Sequence, residues 1–317
     1  MNRSCTRIRS TVVVGLVLSV TALGAQTVIT PPHNNYTPAQ DVELGRTAAA
    51  QAEQQLPILH DEDVASSIAS LGRRLVDAIP PELRHSEFRY SFQVVNVREI
   101  NAFALPGGPM FINRGMIETA KTEGEAASVM AHELSHVALR HGTAQATKAT
   151  PYEVGQVAGS ILGAIVGGTW GNVISQGTQF GLGTAFLRFS REYERQADLL
   201  GSHIMARAGY DPRDMASMFK TIEKQGGQGG PQWLSDHPNP GDRYEYITRE
   251  AQALDVHKPV HDTHAFTQAQ AQLRRMARAP TMEEATRKAT ARRGSTPVPE
   301  GRPSGGPSGG IAPRSST

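Results

Sequence analysis

The sequence predicts an α+β fold, mostly helical, with a small sheet. Three observations carry this expectation. Phe88, Tyr90, Phe92 and Val94 alternate with more polar residues, the period of a half-buried strand. Two further extended runs, Ala102–Leu105 and Met110–Asn113, flank Pro106-Gly107-Gly108-Pro109, a turn composition. Almost everything after Gly115 has its apolar residues at helical spacing instead. A small sheet with an exposed edge, set among many helices, satisfies all three.

Composition narrows the chemistry. The 317 residues carry 32 Lys and Arg against 30 Asp and Glu, a net charge of +2. An excess that small argues against nucleic acid as a partner, since a dedicated binder carries a strongly basic domain. The one cysteine, Cys5, lies near the N-terminus. A disulfide framework, a cysteine zinc knuckle and a cysteine nucleophile are thereby excluded from the body. Any metal must be held by histidines and carboxylates.

Taken in order, residues 1–25 have a basic start (Arg3, Arg7, Arg9), an apolar run from Thr11 to Ala22, and small residues before Gln26. That order predicts a secretory signal peptide, and so an exported protein of the periplasm or cell envelope. A retained anchor is the alternative, although the run is shorter than the ~20 residues of a membrane span. One domain is expected over residues 35–280. Asp41–Leu56 and Asp61–Ala78 read as helices, the second with Val64, Ile68, Leu71 and Leu75 on one face. Thr122-Glu123-Gly124-Glu125 is a capping box that opens a helix expected to reach His141, with Gly142 as its stop. Residues 154–187 hold no charge, and Gly155, Gly159, Gly163 and Gly167 recur every four residues. A helical hairpin beside the cleft is expected there, touching substrate or a membrane surface. Residues 281–317 are rich in Arg, Pro, Gly and Ser, and are expected to be a disordered tail.

The chemistry is concentrated in His132-Glu133-Leu134-Ser135-His136. Two histidines four apart lie one helical turn apart and can reach one ion, with Glu133 beside them to take a proton from water at the metal. This is the HExxH signature of zinc metallopeptidases. A third ligand is needed. The H-E-x-x-H-x-x-G-x-x-H order is excluded, because Leu139 and Gly142 stand where its glycine and histidine belong. A carboxylate from a second helix is the other common solution, leaving a fourth position open. Ser190 to Asp198 fits it: Glu194 and Asp198 share a face, so Glu194 can bind the metal while Asp198 holds a ligand imidazole through its other nitrogen. Small Ala197 and Gly201 let this helix come close to its partner. An ordinary solvated face paired with Arg191 and Arg195 is the competing reading of the same residues, disfavoured by the upstream motif.

Four segments together resemble a known family. They are Asn101–Gly108, the HExxH helix ending Ala138-Leu139-Arg140-His141, Ser190–Gly201, and Asp236-His237-Pro238-Asn239-Pro240-Gly241-Asp242-Arg243. The resemblance is to the gluzincin metallopeptidases of the HtpX, Oma1 and CAAX prenyl endopeptidase family, and within it to the exported bacterial BepA- and LoiP-like branch. It implies a single zincin-like domain in which His132, His136 and Glu194 bind one Zn²⁺ and Glu133 is the general base. By the same resemblance Asp198 supports a ligand, His237 lies over the metal, and Arg243 can steady a developing oxyanion. Substrate is expected to add as a strand along Gly108, Met110, Phe111, Ile112 and Asn113, which reads backbone more than side chains. The function implied is an exported endopeptidase acting on unfolded or misassembled envelope proteins, with envelope-assembly partners. A chaperone-like binding protein, its zinc site kept latent by His237, is the alternative. The intact Glu133 favours the enzyme, since a pure binder has no need of a base.

Overall fold

The structure, a computed structural model, describes residues 26–148, 189–225, 232–239, 241–254 and 256–294. The expected signal peptide, the glycine-rich segment 154–187 and the tail beyond 294 lie outside the described residues.

Each early helix begins at a side-chain cap. Thr37 and Gln40 cap reciprocally to open α1 (Pro38–Gln55), and Asp61 accepts from the Val64 N–H to open α2 (Glu62–Asp77). Three strands follow: β1 (Ser91–Val95), β2 (Ala102–Ala104) and β3 (Pro109–Asn113). The order across the sheet is β1-β3-β2, with β1 parallel and β2 antiparallel to β3. The β2–β3 turn is possible because Gly107 and Gly108 take φ values of 77° and 124°, where a side chain would be strained. Regular β1 pairing begins only at Ser91, opposite Pro109. Phe88 and Tyr90 therefore precede the strand although they share its alternation.

This topology overturns one expectation. β3 holds Met110, Phe111, Ile112 and Asn113, the residues expected to receive a substrate strand along with Gly108. It is the central strand, hydrogen-bonded on both sides. Its backbone groups are spent within the sheet, so no strand can be added there.

The sheet separates two apolar layers. Met110 and Ile112 face the main core with α2, while Phe111, stacked on Phe103 at 5.1 Å, faces a second cluster with α1. The remaining helices are α3 (Arg114–Thr119), α4 (Glu123–Ala138), α5 (His141–Lys148), α6 (Arg191–Arg207), α7 (Arg213–Gln225), α8 (Gln232–Asp236), α9 (Arg243–Leu254), α10 (His264–Arg275) and α11 (Met282–Gly294). Every residue of α4 is buried. α4 is thus a central helix, packed by α6 and α7 and by β2 of the sheet.

Two boundaries differ from expectation. α4 stops at Ala138 and not near His141, because Arg140 takes a left-handed φ of 58°. The Asp41 carboxylate, 2.5 Å from Arg140 Nε, and the Tyr36 carbonyl hold the arginine there, and Gly142 lies inside α5. At the other end, residues 282–294 are helical rather than the start of a disordered tail. Thr281 and Glu284 form a reciprocal cap, and Met282 and Ala285 pack on the second apolar cluster. The prolines that biased the composition begin only at Pro297.

Candidate metal centre

α4 and α6 supply most of the site. One turn of α4 sets His132 and His136 side by side, and their Nε2 atoms are 3.1 Å apart. Thr122 caps α4 by accepting from the Glu125 N–H, and Ser190 caps α6 by accepting from the Tyr193 N–H. On α6, Glu194 and Asp198 are fully buried while Glu192 is exposed. The solvated-face reading of this helix therefore fails for the two residues that matter. Glu194 lies 3.4 Å from His132 Nε2 and 3.5 Å from His136 Nε2.

A fourth group completes the cluster. His237, just after α8, brings Nδ1 to 3.2 Å from His132 Nε2 and 3.1 Å from Glu194. His132, His136, Glu194 and His237 each offer one ligand atom, all within 4.8 Å of one another. Tetrahedral zinc with bonds of ~2.0–2.1 Å spaces its donors by about 3.3–3.4 Å, close to the 3.1–3.5 Å separations of His132 from His136, Glu194 and His237 and of Glu194 from His136 and His237, while 4.8 Å bounds the full set. The donor types, three imidazoles and a carboxylate, suit zinc too.

Electrostatics favours a cation at this point. Burial opposes charge on His132, but hydrogen bonding to Asp198 and Glu194 outweighs it and raises the pKa to about 9. Burial would raise Glu194, yet His237 and His132 hold it well below the usual carboxylate range. For His136, burial dominates and keeps the ring neutral, as a ligand must be.

The supporting shell is equally complete. His132 Nδ1 meets Asp198 Oδ1 at 2.9 Å, which leaves Nε2 facing the ligand cluster. Arg243 donates through Nε to Asp198 (2.7 Å) and through Nη2 to Glu194 (2.9 Å). Its Nη1 is buried with no partner among the described residues. The Tyr246 hydroxyl also donates to Asp198. Glu133 Oε1 lies 3.3 Å from His237 Nε2 and accepts from Trp233 Nε1 at 3.1 Å.

The structure thus brings His132, Glu133, His136, Glu194, Asp198, His237 and Arg243 into one cluster, and sets the β3 residues apart as the middle of the sheet. Sequence reasoning missed Trp233 and His141. Trp233, fully buried and four before His237, stacks on it at 4.8 Å. That spacing was the available signal. His141 Nδ1 lies 2.9 Å from His136 Nδ1, and burial lowers its pKa to about 3. Its signal was only proximity to the motif, because the turn at Arg140 was not foreseeable.

An HExxH helix joined to a glutamate on a second helix, in a mostly helical domain with a small sheet, is the ligand arrangement of a gluzincin-type zinc site. The comparisons make this particular. The model of peptidase family M48 matches residues 64–251, more than half of the chain, and the chain belongs to that family. The beta-barrel assembly-enhancing protease of Escherichia coli (strain K12) is 30% identical over 209 residues, 64% of this chain and 42% of that protein. The mitochondrial metalloendopeptidase OMA1 of Arabidopsis thaliana is 32% identical over 164 residues, covering 51% of this chain and 31% of its own length. OMA1 of Saccharomyces cerevisiae is 31% identical over 172 residues, 51% and 47% respectively. The chain spans less than half the length of each of these relatives. Among the described residues no helix is long and apolar enough to cross a membrane.

Proposed function

We propose that this chain is a zinc-dependent endopeptidase of the cell envelope, hydrolysing peptide bonds of unfolded or misassembled proteins, and that its resting form is latched by His237. The observation that carries the reading is Glu133, buried and intact beside a four-donor cluster of zinc spacing. Zinc held by His132, His136 and Glu194 would supply Lewis acidity, making water more acidic and polarising the scissile carbonyl. Glu133 takes a proton from the attacking water and passes it to the leaving nitrogen. Asp198 holds His132, and Arg243 holds both Asp198 and Glu194, leaving Nη1, without a partner among the described residues, to donate to an oxyanion. Substrate pairs with an edge strand, and β2, packed against α4, replaces β3 in that role. Quality control in the envelope, with assembly partners there, rests on the likeness to the beta-barrel assembly-enhancing protease and on the expected signal peptide.

The latch is supported by the double engagement of His237. Its Nδ1 takes the fourth donor position and its Nε2 faces the base, and none of these groups is more than 5% exposed. Substrate entry requires this histidine to leave.

Casein cleavage by the purified, zinc-loaded chain tests the proposal. Glu133→Gln is expected to lower the rate by a factor on the order of 10²–10⁴ with zinc content unchanged. His237→Ala is expected to raise it. A Glu133→Gln variant as active as the parent would sink the mechanism. A parent and a His237→Ala variant both silent on unfolded substrates would favour the chaperone-like alternative.

A further inference from the structure

Beyond the ligands, one chain of hydrogen bonds has its direction fixed by its outer end. The Thr30 carbonyl can only accept, so Gln196 meets it with its amide NH₂, at 3.3 Å. That orientation turns Gln196 Oε1, an acceptor, toward His141 Nε2 at 3.0 Å, so Nε2 carries the hydrogen. His141 Nδ1 is then a bare acceptor. It lies 2.9 Å from His136 Nδ1, which must be the donor. The remaining His136 nitrogen, Nε2, keeps its lone pair and faces His132 Nε2 and Glu194.

We propose that His141 is a positioning residue for the metal ligand His136, fixing its tautomer and ring orientation so that Nε2 is presented to the cation. The proposal rests on the zinc reading of the cluster. Its structural basis is the left-handed turn at Arg140, which breaks the helix after Ala138 and swings the next residue back against the ligand. Asp41 and the Tyr36 carbonyl hold that arginine, while the Asn34 amide reaches both its carbonyl and Thr143. The N-terminal stretch 30–41 therefore pins both ends of the arrangement, at Gln196 and at Arg140. His136 is confined on its other side by Phe189, stacked at 4.0 Å. With one face covered and one nitrogen tied, the ring has little freedom to turn.

A packing role is the competing explanation, since His141 is fully buried and stacks on Tyr193 at 4.3 Å with an interplanar angle of 3°. Two substitutions in the full-length chain separate them. His141→Phe keeps a ring for Tyr193 and removes the acceptor. His141→Asn gives up the ring but has an Oδ1 two bonds from Cβ, where the histidine has Nδ1. The readout is zinc affinity by competition with a chromophoric chelator, with the visible spectrum of the Co²⁺ form reporting ligand geometry. Positioning predicts that His141→Phe loses about 10- to 100-fold in affinity and alters the Co²⁺ spectrum, whereas His141→Asn stays near the parent. The reverse order, or a His141→Phe variant that binds as the parent does, overturns the proposal. If His141→Phe does not fold, Gln196→Leu breaks the same chain from a partly exposed position; it is expected to weaken zinc binding, and parental affinity there overturns the proposal. A parent chain that binds no zinc would instead remove the zinc reading itself, a result the same titration gives separately.

Discussion

At the scale of single residues, the cluster is dense in charge that is nearly all paired. Glu194 and Asp198 are both fully buried and both held by the Arg243 guanidinium, so the desolvation cost of each carboxylate is offset by a charged donor. The i,i+4 spacings of His132 with His136 and of Glu194 with Asp198 were legible in the sequence, because a helix turns such a spacing directly into a common face. His141 and Trp233 were not, since what they touch depends on a turn and a short helix that spacing does not encode. Outside the cluster, Asp214, in the first turn of α7, lacks such pairing. Its Oδ2 is buried without a hydrogen-bond partner among the described residues, and burial, reinforced by Asp211, raises its pKa to about 6. The folded state thus binds its proton more tightly than the unfolded chain does. Its destabilising effect grows as pH rises from about 4 to about 6 and is complete above that. Asp214→Asn is expected to gain about 1–2 kcal/mol over the parent at pH 7, allowing for solvent screening of a partly exposed group, and nothing at pH 3.5. Urea unfolding of both proteins at the two pH values checks this, and an equal difference at both would refute it.

At the scale of elements, the decisive approach is α6 against α4. Ala197 is fully buried, and a Cβ built on Gly201 would lie 3.2 Å from His132 N and 2.7 Å from the Met215 methyl. Two small residues thus let α6 pack directly on the backbone that carries the first ligand. Gly201→Val adds volume at that crossing, where overpacking costs about 1–3 kcal/mol. The stability loss alone would be unremarkable for a core residue. The specific expectation is that zinc affinity falls as well: the Met215 methyl can swing aside, but relieving the contact with the His132 backbone moves α6, and Glu194 with it, away from α4. Unchanged zinc affinity in a destabilised Gly201→Val protein would show that the crossing does not control the site. The small residues of this contact were readable in the sequence. The order of the strands was not. A parallel β1–β3 pair places β3 in the middle, and that depends on where the connection through β2 returns, which alternation cannot reveal. The end of α4 was misjudged for a related reason. Gly142 is the residue that favours a left-handed stop, yet Arg140 takes that conformation because Asp41, ninety-nine residues away, is there to hold it.

At the scale of the whole molecule, the cluster joins parts of the chain that have little else in common. His132 and His136 come from α4, Glu194 from α6 and His237 from the segment after α8, while Arg243 on α9 ties the second helix from behind. Each of these elements also contributes to the main apolar core: Leu134, Leu200, Trp233 and Ile247 belong to one buried cluster. A cation bound at the four donors therefore cross-links the core at its centre, and an unfolded chain has no comparable site. Binding to the folded state alone adds stability in proportion to the logarithm of free metal, about 2.7 kcal/mol when zinc exceeds its Kd by 100-fold. For a domain of this size that corresponds to a rise in Tm of roughly 5–10 °C. The zinc-loaded chain is thus expected to melt higher than the chelator-stripped chain, and readdition of zinc to restore the difference. Glu133→Gln should keep that rise, since Glu133 is not one of the donors. Glu194→Gln should lose most of it, because a neutral amide balances the charge of neither the ion nor Arg243. Calorimetry on the three proteins with and without zinc decides the matter: equal rises in all three would mean that the metal stabilises this chain from some other place than the cluster.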